Sequence, residues 1–324
     1  MGNRQYSKRQ HMGWSSERMK VVYAHTDSLY VPIPSIEKSE EIQVILNKHI
    51  QDVVFPNVMG LEEHPMDLEF EKYYSVLGVG ATKNRNAGLI NWKDGVYLHE
   101  PEFVCTGFAL KRIAESTIGK ETQRKVIDMW IGQKTEDEIV DYCCKRYNEI
   151  SHGRVDKTDI VKRSRVRGNR MTVQCGCKKK YDLAYVSNLL SILPDAFCEE
   201  DNCKKRLKNC TTVEGKRPTF GGGFAGLLYY NEHVNPKNKI NDSFYHMACS
   251  FGNGQTYTDW NGMKKPARYI AVREHDELAD FEPDWGKLAQ SEVVQKVRPI
   301  FDAMNWDIAR IQLDEKQKKL GEWF

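Results

Sequence analysis

Four cysteines in two close pairs, Cys175 with Cys177 and Cys198 with Cys203, constrain this chain more than any other feature. Twenty residues separate the pairs, a distance that fits a tetrahedral structural zinc site. The spacing within them, one and four intervening residues, differs from the usual two. Cys210, His233, His246 and Cys249 are substitute ligands, and free thiols are the alternative reading. Basic flanks, Lys178–Lys180 among them, suggest a small unit that faces DNA or another subunit.

The wider composition bears on that choice. Nine cysteines make a disulfide framework only in a secreted chain. The N-terminal segment is basic and polar with no apolar core, so it does not read as a signal peptide. No apolar run approaches the roughly 18 residues that span a bilayer, so no membrane role is expected. The expected address is the cytoplasm, where thiols stay reduced. With 324 residues, 40% of them hydrophobic and 10% aromatic, the chain has material for two or three cores and is not disordered. Net charge is only +3, but Lys145–Lys180 holds twelve Lys/Arg against three acids, a footprint suited to a polyanion.

Along the chain, residues 1–19 read as a helix or arm, and 20–33 as a hairpin whose tip is His25-Thr26-Asp27-Ser28. Residues 39–55 carry a helical apolar face with Ser39 as N-cap. Residues 66–79 alternate like a strand, and 87–98 read as a hairpin turning at Lys93-Asp94-Gly95. Helices are expected over 119–131 and 135–150, the second placing Cys143 and Cys144 in its core. Residues 171–265 look irregular, with Gly221–Phe224 as a turn rather than a phosphate loop. A late helix follows, with Val293, Val297, Ile300 and Met304 on one face and a kink at Pro299.

Four ordered segments, the hairpin "AHTDS", "DLEFE" (67–71), "ATKNRNAG" (81–88) and "TGFALKR…GKETQRKVID" (106–128), resemble the C-terminal half of a family B DNA polymerase of archaeal type. The resemblance covers residues 18–150 well and 265–324 loosely. It implies an α+β fold: a partial palm, an antiparallel sheet with helices, then a largely helical thumb with a cysteine-rich insertion. The implied boundaries are lower palm 1–95, thumb 96–170 and 266–310, insertion 171–265 and tail 311–324.

By the resemblance, Asp27 matches the family's essential hairpin aspartate and binds Mg²⁺, with Asp67 and Glu69 as supporting acids. Two such ions clamp the attacking and leaving oxygens of nucleotidyl transfer from a dNTP. His25 stands where the family carries its first aspartate. Imidazole brings no carboxylate charge and suits other metals better. Lys83, Arg85, Lys111 and Arg112 match primer–template contacts, thinned relative to the family. The upstream palm aspartate, the fingers and the exonuclease motifs are missing. The implied protein is therefore the small subunit of a split DNA-directed DNA polymerase, nucleoid-associated and active only with a large subunit that brings those parts. The alternative is a catalytically decayed subunit that binds DNA and tethers a clamp. The ending "QKKLGEWF" resembles a sliding-clamp peptide, with Gln317 at a pocket rim and Leu320, Trp323 and Phe324 on one helical face.

Overall fold

The computed structural model describes residues 11–14, 17–24, 28–62, 64–81, 84–166, 172–252 and 254–312. The chain is α+β, with seven α-helices and six small antiparallel sheets among the described residues. Contacts divide it into two units, one of residues 1–108, 125–139 and 297–308, the other of 109–124, 140–296 and 309–324.

In the first unit, β1 (His11–Trp14) pairs antiparallel with β2 (Glu17–Lys20), so these two segments are strands where the sequence reads as a helix or arm. The short ladder of β3 (Tyr23–Ala24) and β4 (Leu29–Tyr30) brackets residues 25–28. Helix α1 (Ile36–His49) begins three residues before the expected start. Ser35, after Pro34, is its N-cap and accepts the Lys38 N–H, while Ser39 bonds back to the Ser35 carbonyl. A π-helical segment, Ile50–Met59, continues it and contains Pro56. Proline offers no N–H to the α-helical ladder, and the segment ends at Gly60 in the left-handed region. The expected apolar face is only partly covered, since Ile45 and Val53 are exposed.

A three-stranded sheet follows in the order β5 (Lys72–Val79), β6 (Asn86–Lys93), β7 (Val96–Thr106). Asp94 and Gly95 both take positive φ, which gives the tight twisted turn the sequence announces between Lys93 and Val96. Strand β5 starts at Lys72, so residues 66–71 are extended chain rather than strand. The β3–β4 pair sits against this sheet: the Tyr30 ring lies 6.0 Å from Tyr74, and the Tyr23 hydroxyl donates to the Asn84 side chain at 3.2 Å.

Helices α2 (Thr117–Ile131) and α3 (Glu136–Ser151) fall where periodicity puts them, and Cys143 and Cys144 are buried as expected. The second unit's sheet has the order β15-β12-β8, built from β8 (Lys162–Arg165), β12 (Ser243–Ala248) and β15 (Tyr269–Val272). Between β8 and β12 the chain forms β9 (Thr172–Gln174), β10 (Lys180–Asp182), α4 (Leu183–Ile192), β11 (Thr211–Thr212) and α5 (Gly222–Tyr229). Strands β13 (Thr256–Thr258) and β14 (Lys264–Pro266) form a separate pair. The expected irregular segment therefore carries substantial structure.

Gly221–Phe224 is the start of α5 rather than a turn. A Cβ at Gly222 would enter the Tyr269 ring and one at Gly223 the His246 ring, so the glycines let the helix lie close on the sheet. After β15 come α6 (Trp285–Ala289), a π-helical segment Gln290–Val294, α7 (Gln295–Met304) with Pro299 inside, and a 3₁₀ segment Ile308–Gln312. Val293, Val297 and Ile300 are fully buried, whereas Met304 is 43% exposed and leaves the predicted stripe.

Candidate functional site

The two cysteine pairs converge. Strands β9 and β10 pair antiparallel, with Thr172 opposite Asp182, and residues 175–179 turn between them. The Cys175 N–H bonds the Lys179 carbonyl, and the Lys178 N–H bonds the Cys175 carbonyl at 2.7 Å. Lys178 takes a positive φ to close this knuckle. A second knuckle follows α4, where the Cys198 N–H bonds the Lys205 carbonyl and the Cys203 N–H bonds the Glu200 carbonyl.

Together these turns bring the sulfurs of Cys175, Cys177, Cys198 and Cys203 within 4.8 Å of one another. Cys175–Cys203 and Cys177–Cys198 are each 3.6 Å apart. A disulfide needs about 2.05 Å, so these are separate thiols. A tetrahedron with metal–sulfur bonds of about 2.3 Å has edges of roughly 3.8 Å. The four cysteines can therefore hold a metal such as zinc.

Backbone amides suit the same purpose. The N–H two residues on from each cysteine donates to its sulfur: Cys177 to Cys175, Lys179 to Cys177, Glu200 to Cys198 and Lys205 to Cys203. Such bonds favour the thiolate, the form a metal binds. Burial pushes the Cys198 thiol up, but donation from the Tyr181 hydroxyl at 3.0 Å and from the Glu200 amide outweighs it and holds Cys198 at about 7. Lys179 and Glu200 form an ion pair at 3.2 Å between the two knuckles. Val173, Leu183, Val186, Leu190, Leu207 and Trp260 pack into a small core beneath the cluster. Of the substitute ligands, Cys210 is buried in this core but is not one of the four, and burial lifts it to about 12. His233, His246 and Cys249 lie elsewhere: His233 beside Glu232, His246 against Ser164, Cys249 next to β15.

Other sequence-chosen residues are scattered or fall outside the description. Asp27, with its neighbour His25, lies outside the described residues, as do Lys83 and the tail residues Gln317, Leu320, Trp323 and Phe324. Asp67 and Glu69 are exposed and flank Leu68, whose backbone is clamped by the side chains of Gln43 and Asn47 on α1. Arg85 is half-buried, and its carbonyl accepts the Gly80 N–H. The Lys111 backbone completes a single 3₁₀ turn, and Arg112 is exposed with Glu115 at 4.0 Å.

Sequence reasoning missed a buried charge network in the second unit. Glu292 is fully buried, pairs with Lys162 at 2.9 Å and accepts a hydrogen bond from buried Ser116. Glu115 pairs with Lys162 at 3.6 Å and also with Lys296. Burial disfavours the Lys162 charge, but Glu292 and Glu115 outweigh it and raise its pKa. Burial likewise disfavours the Glu115 charge, and the two lysines still lower its pKa. The signal available in the sequence was the i,i+4 spacing of Glu292 and Lys296, which puts both on one side of a helix that also carries Val293 and Val297.

His246 adjoins this network. Burial, reinforced by the Lys162 charge, lowers its pKa from 6.5 to about 4. The unfolded chain then takes up the proton first as pH falls, so stability is lost between about pH 6.5 and 4. The loss at pH 4 should reach on the order of 3 kcal/mol. Urea unfolding across that range should show His246→Gln losing this part of the pH slope; an unaltered slope would refute the assignment.

No protein-family model matches this chain, and no curated protein matches it.

Proposed function

We propose that the chain is the small subunit of a split family B DNA-directed DNA polymerase. In this reading Asp27 is its magnesium-binding carboxylate, with Asp67 and Glu69 in support. Lys83, Arg85, Lys111 and Arg112 grip the primer–template, and Gln317, Leu320, Trp323 and Phe324 reach a sliding clamp. The observation that carries the reading is the antiparallel β3–β4 stem bracketing residues 25–28, packed through Tyr30 and Tyr74 on a three-stranded antiparallel sheet. A short antiparallel stem beside an antiparallel sheet is compatible with the palm that the sequence resemblance implies, and it supports the reading to that extent. The four-cysteine centre takes zinc, whose preference for tetrahedral thiolate matches the donor set.

Among the described residues the four cysteines are the group that converges for a metal. In this reading Asp27 and carboxylates of the large subunit together make the magnesium site. Magnesium bound there would supply the positive charge that stabilises phosphoryl transfer. In this reading the chain's part is to supply Asp27 and to grip the duplex.

Co-expression with the large subunit and Mg²⁺-dependent primer extension test the reading. Asp27→Ala should lower extension by about a hundredfold or more. Extension that survives the substitution would sink the catalytic assignment. Wild-type complex that binds primer–template but never extends it would favour the decayed, clamp-tethering reading, for which the observation is His25 in place of an aspartate.

A further inference from the structure

Among the described residues strand β8 is an edge strand, paired with β12 on one side. Its residues alternate, Lys162 and Ser164 partly buried, Arg163 and Arg165 exposed. Lys162 is committed to the buried network, and Ser164 meets His246 at 3.0 Å. The two arginines have no carboxylate partner among the described residues. They line a cavity of about 560 Å³ whose far wall is the glycine run Gly221–Gly223. Among the described residues no acid lines it, and His246, in its wall, is neutral near pH 7. Ile113 and Ala114, which directly follow Arg112, complete the rim.

We propose that this cavity is a seat for the phosphate backbone of nucleic acid, with Arg163 and Arg165 as its ligands. The volume lies within the ordinary range of ligand sites, roughly 300–1,000 Å³. Guanidinium forks match phosphate oxygens in pairs, and an edge strand presents two of them on one side about two residues apart. A wall free of carboxylates sets no repulsion against a polyanion. Backbone phosphate is favoured over a free nucleotide because the cavity continues the Arg112 segment, so one strand can touch both. The inference rests on the DNA-binding part of the reading above and extends it to residues the sequence resemblance did not select.

The test uses the full chain and a duplex primer–template oligonucleotide, with affinity measured by fluorescence anisotropy from 50 to 300 mM salt. Arg163→Ala/Arg165→Ala should weaken binding about tenfold at low salt and flatten the slope of log affinity against log salt by about 1 to 2. Both side chains are exposed, so metal content and thermal unfolding should stay at wild-type values, which separates lost contact from lost fold. Equal affinity and slope in the double variant would overturn the proposal, as would a wild-type chain that does not bind duplex at all. Binding of inorganic phosphate or a nucleoside triphosphate that is lost in the variant, with duplex affinity unchanged, would overturn the backbone assignment. A chain complex inactive in primer extension whose duplex binding still depends on the two arginines leaves the seat standing and removes the polymerase reading.

Discussion

Cys198→Ser in the full chain is expected to lose nearly all of one bound metal equivalent and to unfold residues 172–212. The reason is size. The segment rests on short strands, one helix of ten residues and a small core under Trp260. Units this small rarely close without a staple. Structural zinc supplies folding free energy on the order of 10 kcal/mol in comparable sites. Serine keeps the shape of Cys198 but removes a thiolate aligned by the Tyr181 hydroxyl and the Glu200 amide. Metal content after dialysis, read by atomic emission, should fall from about one equivalent to near zero, with a matching loss of near-UV signal from Trp260. Cys143→Ser is the control, because Cys143 is buried in α3 apart from the cluster. A Cys198→Ser chain that keeps its full metal would refute the four-thiol assignment, and wild-type chain that folds equally well without metal would refute the stapling role.

Glu292→Ala should destabilise the protein by about 3–5 kcal/mol, the cost of leaving a buried charge without its partner. Lys162 would lose its closest carboxylate, and the Ser116 hydroxyl its acceptor. Glu115 remains near Lys162 at 3.6 Å but is shared with Lys296, so compensation is incomplete. Replacing both partners, Lys162→Met with Glu292→Leu, should recover most of the loss, since apolar residues of similar volume require no solvation. Urea unfolding of the two single variants and the double variant measures the coupling. A Glu292→Ala loss below about 1 kcal/mol would mean that water reaches the network.

Elements governed by local chemistry were legible in the chain. The turn at Asp94 and Gly95 needs two positive φ values, and few residue pairs supply them so readily. Helices α2 and α3 follow from apolar spacing, and the burial of Cys143 and Cys144 follows from the same stripe. The cysteine pairs named their own chemistry because two close pairs of thiols about twenty residues apart match the spacing of a tetrahedral metal site.

Misreadings arose where a competing neighbour or a distant contact overrides the preference of a residue type. Ser39 is a good N-cap residue by type, yet Ser35 lies behind a proline and takes the position, leaving Ser39 inside the helix. The glycines at 221–223 look like a turn, but the rings of Tyr269 and His246 need the space that a Cβ would fill. His246 read as a substitute metal ligand, and burial against Ser164 sets it apart from the cysteines.

By itself, then, the sequence determined the hairpin stem, the buried stripe of α3 and the two close pairs of thiols, since each depends on residue type at short range. Only the tertiary structure decided that Cys175, Cys177, Cys198 and Cys203 share one centre and that Glu115, Ser116, Lys162, Glu292 and Lys296 form one network. Those groupings join residues as far apart as 181 positions, as Glu115 and Lys296 are. Pairings at that distance are set by how helices and strands pack, which no local pattern encodes.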